Sequence, residues 1–157
     1  MELRGVDELM DLLSGCRGVR TPGDPVDLHE HALQTAALLR RGRPADKELQ
    51  IAGLVHELGR VLRPGDRPAH PDLAAHAVRP LLGDRVFRLV RLHGLARLHG
   101  AGGTPVEAAG PLAEDALTLR QAHDAAHVPG LDAGVLDDWR TLLELCAARH
   151  SRLGAVD

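Results

Sequence analysis

Aromatic residues are nearly absent from this chain: its 157 residues include one Phe, one Trp and no Tyr. The core must therefore be built from Leu, Val and Ala, and few rings are available to stack on bases. With a net charge of −3, both the aromatic and the basic requirement of a nucleic-acid surface are missing. Two cysteines, Cys16 and Cys146, are too few and too far apart for a disulfide framework or a thiolate metal site. A reducing cytoplasm is the expected setting. No apolar run approaches the ~20 residues of a membrane span, and the opening MELRGVDELMDLL is acidic rather than signal-like. Lysine occurs once, at Lys47, the other basic residues being Arg. Histidine, with ten residues, is the one excess that chemistry would explain.

The length fits one domain over residues 1–157 with a self-sufficient core. Apolar periodicity gives helices and no strand alternation, so the expected class is all-α. A first helix covers 6–14 and ends at Gly15 and Gly18. A second runs from 25 to 41, with Asp24 as N-cap and Pro25 at the first helical position. A third begins at Asp46 and continues through Leu62. Helices follow over 72–82, closed by Pro80 and Gly83, and over 84–100. A Gly-rich connection precedes a helix over 111–126, and a last one covers 135–149.

The stretch AGLVHELGR, residues 52–60, organises the rest. At about 100° per residue, Ile51, Leu54, Val55, Leu58 and Leu62 share one broad face, while His56 looks the other way beside Leu49, Ala52, Gly53 and Gly59. A helix apolar on one side and small on the other is central, with a neighbour close on its small side. His56 and Glu57 in that position can hold one metal ion or bridge two. They can equally be a buried His and a Glu reaching solvent. Elsewhere, His93 centres an inward stripe with Val86, Leu89 and Val90, and His123 another with Leu112, Ala116 and Leu119, Asp124 being stepped to its side. His70 immediately precedes a helix, and His76 shares a polar face with Asp72 and Arg79. His29 and His31 lie 200° apart, so both cannot be ligands; the wheel places His29 nearer the apolar centre. Any one of these His is explained by a satisfied core or surface role. Four of them on four segments, with a His-Glu pair, raise the case for a common metal site.

In order, His31, His56-Glu57, His70, His93 and the polar pair His123-Asp124 resemble the ligand sequence of the HD-domain superfamily. The wording EHALQTA, AGLVHELG, RPLLGDRVFRLVRLHGLA and LRQAHDAAHVPGL, over most of residues 24–131, looks like its branch of mixed-valent di-iron oxygenases, which includes myo-inositol oxygenase and phosphonate-cleaving oxygenases. The resemblance implies an HD-like bundle of six or seven helices around a central site. It selects His31 over His29, because the branch's ligand is the His of the EHALQ wording. It implies iron, one or two ions, with Mn or another divalent metal as the alternative. The implied ligands are His31, His56, Glu57, His70, His93 and His123, with Asp124 as the alternative to the last. Implied substrate-binding residues are Arg97, Arg120, Arg60 and Asp24.

The chain departs from that pattern in chemically specific ways. Glu57 stands where the family has Asp, one methylene longer, and His123 stands where it has a carboxylate. Arg60 replaces a His, Arg97 a Lys, and Thr21 and Asp24 a Tyr and a Glu. The expected function is an iron-dependent oxygenase that abstracts hydrogen from carbon in a small polar, anionic substrate, with cleavage or hydroxylation. The alternatives are an HD-type metal-dependent phosphohydrolase and a divergent, non-catalytic homologue that binds a metabolite or partner. Neither nucleic acid nor membrane is an expected partner.

Overall fold

A computed structural model describes residues 2–65, 70–99 and 110–156, without the side chains of 70, 94–99 and 152–156. The helices are α1 (Val6–Ser14), α2 (Leu28–Gly42), α3 (Lys47–Val55), the single turn α4 (Gly59–Leu62), α5 (His70–Leu82), α6 (Asp84–His99), α7 (Ala113–Ala125) and α8 (Arg140–Val156). Short 3₁₀ turns, Gly110–Leu112 and Leu136–Trp139, precede α7 and α8. Seven of the α-helices have nine or more residues, and no strand occurs among the described residues. The expected all-α bundle is what the chain forms. No helix among the described residues is long and apolar enough to cross a membrane.

The centre of the bundle is α3, which packs on α2, α6, α7 and α8. Every residue from Leu49 to Val55 is buried, so this helix has no solvent face. Its small side is where α2 comes close. A Cβ added at Gly53 would lie 2.5 Å from Leu39 Cδ1, 3.1 Å from Thr35 Cγ2 and 3.6 Å from the Ala36 Cα. The core around it is aliphatic, as the composition requires: Leu33, Leu39, Ile51, Leu54, Leu58, Leu82, Leu89 and Leu119 are all buried. Trp139, 1% exposed, fills the far side under Arg40, whose guanidinium carbon stands 4.9 Å from its ring centroid.

Several boundaries differ from expectation, the last helix running over Arg140–Val156 instead of 135–149. Helix α2 starts at Leu28, not at residue 25. Asp27 caps it by accepting from the Glu30 N–H at 2.8 Å and also takes the Gly18 N–H at 2.9 Å, whereas Asp24 turns back onto the Val26 N–H at 3.1 Å. Helix α5 starts at His70, not at residue 72, and ends at Leu82 as expected; Pro80 lies inside it, and Gly83 beyond it adopts a left-handed φ of 93°. The third helix does not continue to Leu62. After Val55 the hydrogen bonds tighten to three-residue spacing, Leu58 N–H to Val55 O at 3.1 Å and Arg60 N–H to Glu57 O at 3.1 Å, before α4 resumes. Such tightening turns successive side chains out of regular helical phase.

At the opposite end of α3 a charged network ties the bundle. Arg85 grips both Asp46 oxygens at 2.7 and 2.8 Å and reaches Asp115 at 3.0 Å; Arg43 also holds Asp115, at 3.0 Å. Gln50 donates to the Arg43 carbonyl at 2.8 Å and fixes the link between α2 and α3.

Two outcomes follow for stability. In Gly53→Ala the new methyl meets the buried Leu39 and Thr35, so overpacking of about 1–3 kcal/mol should outweigh the ~1 kcal/mol gained in helix propensity. Urea unfolding should show a lower midpoint at unchanged slope. The Arg85 hydrogen bonds, against an opposing effect of burial, hold the Asp46 carboxyl below its usual range. A depressed folded value stabilises the fold above the unfolded pKa, about 4, and that contribution disappears as pH falls through the folded value. Asp46→Asn keeps a capping side chain. It should be less stable than the parent near pH 7, with the difference shrinking below about pH 4.

Candidate metal centre

The opening of the turn after α3 is what assembles the site. On a regular helix His56 and Glu57 would diverge by about 100°, yet here His56 Nε2 and Glu57 Oε1 stand 3.5 Å apart. From α2, His31 Nε2 comes to 3.1 Å from His56 Nε2. From α7, His123 Nδ1 lies 3.0 Å from the former and 2.9 Å from the latter. Glu57 Oε1 caps this triangle of nitrogens, 3.9 Å from His31 and 3.5 Å from His123. All four residues are buried.

Tautomers decide what the triangle can hold. His31 Nδ1 lies 2.8 Å from the Ala126 carbonyl, and His56 Nδ1 contacts the Gly53 carbonyl. A carbonyl only accepts, so both Nδ1 atoms carry the proton and donate it. In the neutral rings each Nε2 then presents a lone pair to the other. Burial pushes the His31 imidazole below its usual range despite the Ala126 bond, and pushes His123 down as well, helped by the neighbouring His56 and His93 rings. Glu57 goes the other way in charge: burial opposes its ionisation, but electrostatic attraction from its neighbours, the permanently charged Arg60 among them, outweighs it and holds the carboxyl below its usual range. A proton placed among these four atoms can join only two. A metal ion at about 2.1 Å, the usual first-row distance to N and O donors, can reach all four across this spacing. Three imidazole nitrogens and one carboxylate oxygen suit divalent Fe, Mn, Co, Ni or Zn better than Ca or Mg, which take oxygen shells.

Four of the six implied ligands therefore meet. His93, 1% exposed, packs its ring 5.0 Å from that of His56 and 4.7 Å from that of His123. It borders the four-atom group but does not belong to it, so its inward stripe supports the ligands from behind. The His70 and Arg97 side chains lie outside the described residues. Asp124 points to the helix edge and pairs with Arg120 at 3.2 Å, which engages that Arg on the surface of α7. Arg60 Nε binds Glu57 Oε2, leaving Oε1 for the cluster; Arg60 is first of all a partner of the carboxylate ligand. Asp24 binds His127 Nδ1 at 3.0 Å.

Two placements escaped the helical wheel. His31, 2% exposed, is the interior residue, while His29 sits beside Arg17 at 3.4 Å. Almost the whole of α2 from Leu28 to Ala36 is buried, so an apolar-face criterion cannot separate the two. His127 follows the end of α7 and stacks on His31 at 4.6 Å with ring planes 21° apart. Its only trace in the sequence is the spacing of four from His123, and the helix stops between them at Ala125.

Size does not mark this chemistry. A cavity of about 830 Å³ opens around Lys47, Gly83 and Arg149, at the other end of α3. Another of about 190 Å³ is lined by Val19, Arg20, Thr21, Leu28 and Arg60; it shares Arg60, the partner of Glu57, but none of the four clustered residues.

His123→Ala should lower the content of Co(II) or Zn(II) retained after dialysis at least tenfold, on the order expected for loss of a ligand or its close support. Asp124→Ala should leave it unchanged. The reverse pattern in elemental analysis would move the α7 ligand by one residue. No family model matches the chain, and no curated protein matches it either.

Proposed function

We propose that this chain is a metal-dependent enzyme of HD-domain type that holds one divalent transition-metal ion, iron first, and acts as an oxygenase on a small polar, anionic substrate. The observation that carries the metal is the buried convergence of His31, His56 and His123 on Glu57 Oε1. A single ion is the count that this four-atom arrangement favours over the pair implied by the di-iron branch. The oxygenase reading is supported by the resemblance of the His-rich wording and by a donor set in which a ferrous ion is well accommodated.

When bound, the ion would supply Lewis acidity and, as iron, the redox chemistry for oxygen. The protein's part is binding, orientation and shielding. The Gly53 and Ala126 carbonyls set two imidazoles in the ligating tautomer, and such outer partners fix ring orientation and raise ligand basicity. Arg60 neutralises the outer oxygen of Glu57. Arg20 and Arg60 line a small cavity that the partner of Glu57 links to the centre, where a carboxylate or phosphate group would find cationic donors.

That cavity also favours a second reading, a phosphohydrolase in which a redox-inert ion activates water and the two Arg hold phosphate. Oxygen separates the two. Protein reconstituted with Fe(II) under anaerobic conditions should bind about one iron, and saturating metal at a hundredfold excess over Kd should stabilise the fold by about 2–3 kcal/mol in thermal unfolding. Consumption of O₂ with a phosphonate, polyol or amino-alcohol supports the oxygenase. Anaerobic phosphate release with Mn(II) supports the hydrolase and overturns the first reading. An unchanged melting midpoint with every divalent metal overturns both.

A further inference from the structure

We propose that Asp24 and His127 are positioning residues of the metal centre: together with Gln34 they clamp the segment 126–128 onto α2, so that His31 presents its Nε2 lone pair before any ion arrives. The geometry comes from three successive residues. The Ala126 carbonyl takes the His31 Nδ1 proton at 2.8 Å. His127 lies flat against the His31 ring, 4.6 Å between centroids. Val128 is held at both ends of its backbone by one side chain, its carbonyl accepting from Gln34 Nε2 at 2.7 Å and its N–H donating to Gln34 Oε1 at 3.0 Å. Gln34 is 1% exposed and stands one turn after His31 on α2.

This segment follows the end of α7 at Ala125, where the Ala126 N–H still donates to the His123 carbonyl at 3.3 Å and none of the described bonds carries the helix further. Its position is set by the side chains that grip it. Asp24 supplies the outer grip: His127 Nδ1 donates to its two oxygens at 3.0 and 3.2 Å. The His127 side chain is 33% exposed and that of Asp24 14%, so the grip is at the rim, where a substitution removes little core. The residue expected to contact substrate thus has a different task, and the histidine that no helical pattern located is its partner. A surface ion pair of ordinary kind contributes little to stability; this one is coupled to a ligand's tautomer and ring plane, which is where outer-shell partners exert tenfold to hundredfold effects on affinity.

The inference rests on the metal-centre reading for its cobalt arm and stands without it for its nuclear-magnetic-resonance arm. In metal-free, ¹⁵N-histidine-labelled protein, His31 should show a single neutral tautomer with the proton on Nδ1. His127→Ala and Asp24→Ala should each give averaged or mixed His31 tautomers while the rest of the spectrum stays folded, and Asp24→Asn, which still accepts the hydrogen bond, should restore the single form. In Co(II)-loaded protein the first two variants should weaken cobalt binding about tenfold and alter the visible d–d bands in the same way, and the double variant should be no worse than either single. His127→Ala with an unchanged His31 tautomer and unchanged cobalt bands overturns the proposal. Wild-type protein that takes up no cobalt overturns the metal-site reading instead, and the tautomer measurement still decides whether the pair sets His31.

Discussion

The structure depends on three imidazole nitrogens and one carboxylate oxygen being held together in the interior, where none of them is comfortable alone. Burying polar groups without compensation costs several kcal/mol each, and lone pairs that face each other add repulsion. The protein compensates the outer atoms of three of the four residues. Backbone carbonyls take the outer protons of His31 and His56, Arg60 takes the outer oxygen of Glu57, and the His93 ring backs His56 and His123. What remains is a set of donors aimed inward at one point. A fold selected only for stability would replace such a group with aliphatic side chains, since buried polar clusters are seldom the most stable solution.

Assembling that point needs α3 to be both close to its neighbours and broken at the right place. Closeness comes from Gly53, whose missing side chain lets α2 approach and bring Thr35 and Leu39 into contact. His31 lies one turn before Thr35, whose hydroxyl donates to the His31 carbonyl at 2.7 Å. The break comes immediately afterwards, and it lets neighbouring residues 56 and 57 point at one atom-sized target. The same residue serves both: the Gly53 carbonyl accepts from His56, so the helix end and the ligand tautomer are fixed together. The charged grip of Arg85 on Asp46 anchors the other end of α3, so the helix cannot slide to relieve the crowding at its ligand end.

Much of this was legible in the chain before any coordinates. Apolar periodicity places the helices, Asp46 marks where α3 begins, and the contrast of large and small faces marks that helix as central. His123 over Asp124 followed from the wheel, because α7 is regular where it matters. The failures share a cause. Periodicity assumes continuous helical phase and one apolar face, and it fails where the first half of α2 is buried on nearly every side, so that the wheel sets His29 rather than His31 nearer the apolar centre. It fails again at His56-Glu57, where the tightened turn brings together two side chains that a straight helix would separate. It had nothing to say of His127, which is placed by a chain reversal and by contacts with residues about 95 positions earlier in sequence. The start of α2 is displaced because Asp27, not Asp24, takes the Glu30 N–H of the first turn, while Asp24 turns back onto the Val26 N–H.

Glu57 and His123 together set the charge of the centre, and charge constrains what the site can hold. With neutral imidazoles at 31, 56 and 123, Glu57 supplies the only negative charge of the four-atom group, and Arg60 offsets part of it. A divalent ion at that point keeps an excess of positive charge in a region of low dielectric, where charge interactions are strong. A second cation beside it would be disfavoured by the same excess. The longer Glu side chain fits this economy of charge. Its extra methylene lets one oxygen reach the nitrogens while the other turns back to Arg60, three residues on, so that the arginine neutralises the carboxylate without competing for the oxygen that faces the cluster.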